Sequence, residues 1–149
     1  MNMRRLTILL GACLGLAAPA AHACWEEVGQ KYGINPYLLV AIAKTESGLN
    51  PRAVNRANGN GSYDVGLMQI NSAWFPRLRQ LGIDEAQLYD ACVNLDVGAW
   101  ILAQNLRRLG QSWEAVGAYN ASSADKRLRY AISVYRNLPP ALREEPVAP

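Results

Sequence analysis

Glu46 stands where a water-soluble helix rarely keeps a carboxylate. Leu38, Leu39 and Ile42 recur at the three- and four-residue steps of one helical face, and Glu46 is the next residue on that stripe. It also falls near the C-terminal end of the helix. Burial disfavours a charged carboxylate, and so does the negative end of the helix dipole, so both push its pKa upward. A carboxylic acid that keeps its proton near neutral pH is a general acid, the group needed to protonate a departing sugar oxygen. Periodicity alone is equally compatible with a glutamate that swings into solvent or pairs with Lys44.

Two further segments carry groups suited to a polar substrate. Gly66-Leu67-Met68-Gln69 joins a residue that permits close backbone approach to an apolar pair and an amide, and amides read hydroxyl and acetamido groups. Ala118-Tyr119-Asn120 puts a phenol and an amide where a helix gives way to a loop. Each segment alone also fits plain packing and capping. Asp64 is the nearest second carboxylate in sequence, and turn preferences make it a turn residue ahead of Val65-Gly66. Core packing accounts for most of Trp25, Trp74, Trp100 and Trp113, and none is assigned to the site.

The elements that must position these groups read as helices nearly throughout. Cys24 to Tyr32 forms a first helix ended by Gly33, and Asn35 caps a second with Pro36 in its first turn and Asn50-Pro51 as its stop. Arg52 to Tyr63 lacks periodicity and reads as a loop, and Val65 to Asn71 as an extended or irregular run. A helix over Ser72 to Leu81 tolerates Pro76 in its first turn. Asp90 to Leu109 is the longest helix, with Leu95, Gly98, Leu102, Leu106 and Leu109 on one stripe. Ser112 caps a short helix from Trp113. Asp125 is expected to cap the last helix, with Leu128, Ala131, Ile132 and Tyr135 as its buried stripe and Pro139-Pro140 as its stop. The fold class is therefore mostly α, one domain over residues 24–138, with a short irregular or β segment beside the cleft.

The inventory narrows the chemistry. Residues 1–23 have the build of a cleaved signal peptide: Arg4 and Arg5, an apolar run from Leu6 to Ala18, then Ala21-His22-Ala23. That run is shorter than the roughly 20 residues a membrane-spanning helix needs. Removing the segment leaves 13 cations against 12 carboxylates and no histidine, since His22 is the only one. Such a balance gives no basis for nucleic-acid binding. Histidine-dependent triads, dyads and metal sites are excluded, so neither a metal nor a cofactor is expected. Cys24 and Cys92 remain as an even pair in an exported chain and are expected to form a disulfide. On the loop-entropy model the closure contributes about 4 kcal/mol. Residues 139–149 form a Pro- and Glu-rich tail too poor in apolar residues to fold by itself.

Glu46-Ser47 with Asn50-Pro51, then Gly66-Leu67-Met68-Gln69, then Ala118-Tyr119-Asn120, resemble in order the three motifs of lytic transglycosylases of the soluble, goose-type-lysozyme-like class. The resemblance spans roughly Cys24 to Leu138 and implies a lysozyme-like helical fold acting on peptidoglycan glycan strands in the periplasm, as a monomer. The stretch from Asn60 to Asn71, with Gly98 to Leu102 and Ala115 to Asn120, is similar to the small transglycosylases that accompany secretion systems, conjugation machinery and pili. It implies local opening of the wall beside components of such an apparatus. By the same resemblance, Glu46 is the catalytic acid. Ser47 and Gln69 hold substrate amides, Gly66 and Leu67 shape the motif, and Met68 touches a sugar face. Tyr119 hydrogen-bonds the glutamate, and Asn120 shapes the cleft. Ala121-Ser122-Ser123 departs from the pattern, where many relatives carry a glycine. A hydrolytic muramidase on the same fold and a non-catalytic glycan-binding or assembly protein are the alternatives.

Overall fold

A computed structural model of the protein describes residues 20–143. The expected signal peptide over residues 1–23 lies outside them except for its last four residues, as do residues 144–149 of the tail. The chain runs α1 (Ala20–Tyr32), α2 (Pro36–Ser47), β1 (Val54–Asn55), β2 (Asp64–Val65), β3 (Ile70–Asn71), α3 (Phe75–Gln80), α4 (Ala91–Leu109), α5 (Trp113–Gly117), α6 (Ala124–Asn137) and α7 (Pro140–Arg143).

Helix α2 starts where its sequence requires. Asn35 Oδ1 accepts the Tyr37 N–H at 2.9 Å, and Pro36 fills a first-turn position that has no N–H to satisfy. Leu38, Leu39, Ala41, Ile42 and Ala43 turn inward and are almost fully buried. The helix ends at Gly48, a left-handed cap two residues before the expected Asn50-Pro51 stop. Helix α4 is the spine, packed against α1 and α5, while α2 packs against α1 and α6. Asp90 caps it, its Oδ1 accepting the N–H groups of Cys92 and Val93. Cys24 and Cys92 are disulfide-bonded, as expected, which fastens α1 to the first turn of α4. Lys31 Nζ donates to Asp96 Oδ1 at 2.7 Å between the same helices, an exposed pair worth at most about 1 kcal/mol.

Part of the expected loop over Arg52 to Tyr63 is structured. Val54 and Asn55 form β1, paired antiparallel with Val65 and Asp64, and β2 pairs in turn with β3 through Asp64 with Asn71 and Val65 with Ile70. Two-residue strands give no periodicity to read.

Helix α6 is rotated from its expected orientation. Tyr130, Ala131 and Val134 are the buried residues, whereas Leu128 is 62% exposed, Ile132 40% and Tyr135 38%. The helix carries two apolar stripes, and close backbone approach selects between them: a Cβ on Gly117 would lie 2.5 Å from the Arg127 carbonyl oxygen. Ser123 occupies the N-cap position and Asp125 the first turn, so Asp125 is not the cap. The Pro139-Pro140 stop ends α6, but Pro140 also opens the single turn of α7, and Tyr135 Oη donates to the Arg143 carbonyl at 2.5 Å.

Candidate active site

The three segments singled out by sequence meet around the Gly66 to Gln69 turn, which one buried amide fixes to α4. Asn94, fully buried on α4, accepts the Met68 N–H through Oδ1 at 2.7 Å. Its Nδ2 donates to the carbonyls of Val65 at 2.9 Å and Leu88 at 2.8 Å. Gly66 has φ +81°, and a Cβ there would lie 2.2 Å from Asn94 Nδ2, so only glycine fits. Gly98, one turn further along α4, lets the helix close onto Met68, whose Cβ is 2.7 Å from where a Gly98 side chain would begin. The Gly66 to Gln69 segment is thus laid directly on the spine.

Beside it lies an open cleft of about 710 Å³, lined by Glu46, by residues of the β1–β3 region including Asn55, Asn58, Asp64, Gln69 and Asn71, and by Trp74, Tyr119, Asn120 and Lys126. Glu46 comes from the last turn of α2. Burial raises its pKa to about 7, and the nearby Asp64 charge adds to the rise; hydrogen bonds from Tyr130 and with Asn120 favour the charged form and pull the other way. The Tyr130 hydroxyl donates to Glu46 Oε1 at 2.5 Å. Asp64 Oδ1 accepts from Asn71 Nδ2 at 2.7 Å, and its Oδ2 accepts from Asn58 at 2.9 Å and Asn55 at 3.1 Å. Asp64 is therefore a strand residue clamped by three amides rather than a turn residue. The site holds a proton donor with half its acid form intact at neutral pH, a second, fixed carboxylate, and many neutral amides.

The expected site residues separate into two groups. Glu46, Gln69, Tyr119 and Asn120 line the cleft. Ser47, Gly66, Leu67 and Met68 lie behind it. The Ser47 hydroxyl donates to the Leu67 carbonyl at 2.7 Å and accepts the Asn50 N–H at 3.1 Å, tying the end of α2 to the glycine turn. Leu67 and Met68 are 4% and 0% exposed, so Met68 packs into the core instead of meeting a ligand. Gln69 adopts a left-handed φ of +50°, and its Nε2 donates to the Gly66 and Ala53 carbonyls at 2.9 and 3.2 Å. Both amide hydrogens being spent there, Oε1 is its free acceptor.

The phenol on the glutamate is Tyr130, not Tyr119. Tyr119 Oη donates to the Met68 carbonyl at 2.9 Å, and its ring stacks on Tyr130 with centroids 6.4 Å apart. Both phenols titrate well above the usual tyrosine range, chiefly through burial, so both remain donors. Sequence reasoning missed Tyr130 by choosing the other stripe of α6. It missed Trp74, paired edge-on with Trp100 at 5.4 Å, by assigning the tryptophans to packing. The one available signal for Asn94 was an amide set between Val93 and Leu95.

Tyr130→Phe is expected to raise the Glu46 pKa further, because it deletes a hydrogen bond that favours the carboxylate. A hydrogen bond to a charged group is worth about 1.5–3 kcal/mol, which corresponds to a rise of about one to two pH units. Carbon-13 NMR titration of the Glu46 carboxyl reads this directly. An unchanged or lower midpoint would show that Tyr130 does not govern the proton.

Residues 23–133 match the transglycosylase SLT domain family. The chain is 45% identical over 118 residues to protein IpgF of Shigella flexneri, covering 76% of this chain and 77% of that protein. It is 45% identical over 119 residues to the invasion protein IagB of Salmonella typhimurium, covering 76% of this chain and 74% of that one. The X polypeptide of Escherichia coli is 42% identical over 122 residues, covering 76% and 70%. Among solved structures, an inactive glutamate-to-glutamine mutant of the lytic transglycosylase Slt from Pseudomonas aeruginosa superposes with a TM-score of 0.64 at 22% identity. It matches 79% of this chain, which spans 23% of that much longer one, and it shares the fold.

Proposed function

This chain belongs to the transglycosylase SLT family and is a peptidoglycan lytic transglycosylase, and from that premise we propose that it breaks the β-1,4 bond between N-acetylmuramic acid and N-acetylglucosamine and leaves a 1,6-anhydro sugar. The observation that carries this is Glu46, a carboxyl with a pKa of about 7 facing an amide-lined cleft. Its proton goes to the bridging oxygen as the C1–O bond breaks, and the N-acetylglucosamine leaves with a free 4-hydroxyl. The positive charge at C1 is met by the acetamido oxygen of the muramyl residue itself. Glu46, now a carboxylate, takes the proton of the C6 hydroxyl as that oxygen bonds to C1. The acid is regenerated and no water is consumed.

The other side chains divide the remaining work. Tyr130 donates to Glu46 when it is charged, and Tyr119 fixes the Met68 carbonyl. Gln69, through Oε1, and Asn120 meet sugar hydroxyl and acetamido groups. Ser47, Gly66, Leu67 and Met68 hold that wall in place.

Asp64 supports a second reading. A clamped carboxylate near the acid is what a muramidase uses to direct water to C1 or to stabilise its positive charge. Mass spectrometry of muropeptides released from purified sacculi separates the two. The transglycosylase reading expects products lighter by one water, with anhydro ends, and ordinary reducing ends would replace it by the muramidase. No release by the wild-type protein would leave a glycan-binding or assembly role.

Export by cleavage after Ala23 and action in the periplasm follow from the target and from the build of residues 1–23. Likeness to an invasion protein supports service to an envelope-crossing assembly, of the secretion, conjugation or pilus kind.

A further inference from the structure

Lys126 is the only cation among the described residues that line the cleft. It sits exposed in the first turn of α6. The ion pairs of the described residues, Lys31 with Asp96 and Arg127 with Glu114, leave it out. Reading sugars requires no such group. Hydroxyl and acetamido groups are neutral, and Asn55, Asn58, Asn60, Asn71 and Gln69 already supply neutral partners.

Apart from Lys126, the charged residues of the cleft lining are acidic. Asp64 faces the same space as Glu46 and raises its pKa through their mutual repulsion, and Glu46 becomes a second negative charge once it has given up its proton. A ligand carrying carboxylates is repelled by such a surface unless a cation lies along its path. A lysine is a compact charge on a flexible stem, suited to a carboxylate whose position varies, whereas a fixed planar carboxylate would favour the arginine fork.

We propose that Lys126 forms a carboxylate-binding subsite of this cleft. The inference rests on peptidoglycan being the substrate. Two carboxylates on a wall strand have the required chemistry: the lactyl carboxylate of a muramyl residue whose stem peptide has been removed, and the carboxylates of an intact stem.

The test reads binding, not turnover. Glu46→Gln protein, with and without Lys126→Met or Lys126→Arg, is titrated with four strand preparations: stem-bearing, amidase-stripped, and each of these with its carboxyls converted to methylamides. Charged strands are expected to bind about fivefold more tightly than their methylamides, the upper range for an exposed ion pair. That gap should close in Lys126→Met, persist in Lys126→Arg, and shrink at high salt. Closure confined to stem-bearing strands identifies the stem, and closure confined to stripped strands identifies the lactyl group. Equal affinity for charged and neutralised strands, or a gap unaltered by Lys126→Met, overturns the proposal. A Lys126-dependent gap, where the wild-type protein yields no anhydro product, would retain the subsite and discard the chemistry proposed above; anhydro product from the wild type without the gap would do the reverse.

Discussion

Glu46→Gln is expected to lower glycan cleavage by about a thousandfold, within the range supplied by a positioned general acid, while making the protein more stable above neutral pH. The two effects share one cause. The folded pKa of about 7 lies above the ordinary value of 4.5, chiefly because the carboxyl is buried. Such a group contributes fully to stability below the unfolded pKa, and that contribution is lost as the pH rises through the folded pKa. From pH 4.5 to 7 the wild-type protein therefore forfeits about 2–3 kcal/mol, since each pKa unit corresponds to about 1.4 kcal/mol. Glutamine stays neutral throughout. Thermal melts of both proteins should coincide near pH 4 and separate by pH 8, with the variant melting higher. Zymography on embedded peptidoglycan reads the activity. A variant that clears the gel, or one that melts below wild type at pH 8, would sink the assignment of a buried acid.

Asn94→Ala is expected to cost more than about 3 kcal/mol, a large part of the 5–15 kcal/mol that holds an ordinary domain folded. The substitution orphans three buried groups together: the Met68 N–H and the carbonyls of Val65 and Leu88. Each such group costs about 1–3 kcal/mol when left without a partner. Asn94→Asp does not rescue the site, because a carboxylate keeps the acceptor for Met68 but offers no donor to the two carbonyls. Urea unfolding measures the loss. A midpoint close to wild type would mean that the glycine turn holds its own shape without α4.

How much of this was legible in the sequence depends on whether a residue's environment is local. Helix caps are local, so Asn35 and Ser112 were read correctly, each accepting a backbone N–H of its own first turn, whereas the cap of α6 is Ser123, two residues before the expected Asp125. Glu46 was legible because its oddity, a carboxylate continuing an apolar stripe, is written within eight residues. The mostly helical class follows from pattern, and the disulfide from the even pair of cysteines left after residue 23.

What was not legible involves choices between equivalents. Helix α6 offers Leu128-Ile132-Tyr135 or Tyr130-Val134-Leu138 as its inner face, and only its packing against α5 and α2 decides between them. Met68 and Gln69 alternate toward core and cleft because Gln69 takes a left-handed φ, which sequence does not announce in a non-glycine residue. The three-amide clamp on Asp64 depends on a sheet whose strands are two residues long. The fifty residues between Met68 and Tyr119 give no hint that their backbone and phenol meet.

The bond between Cys24 and Cys92 divides the machinery unequally. Glu46, Asp64, Gln69 and Trp74 belong to a covalently closed ring, while Tyr119, Asn120, Lys126 and Tyr130 belong to the open strand that follows it. Breathing motions that peel α6 away would leave the ring intact yet admit water to Glu46, and a hydrated glutamate surrenders its proton at once to a neutral medium. Any separation of α6 from α2 would thus cost the acid its proton while the ring closed by Cys24 and Cys92 stays intact.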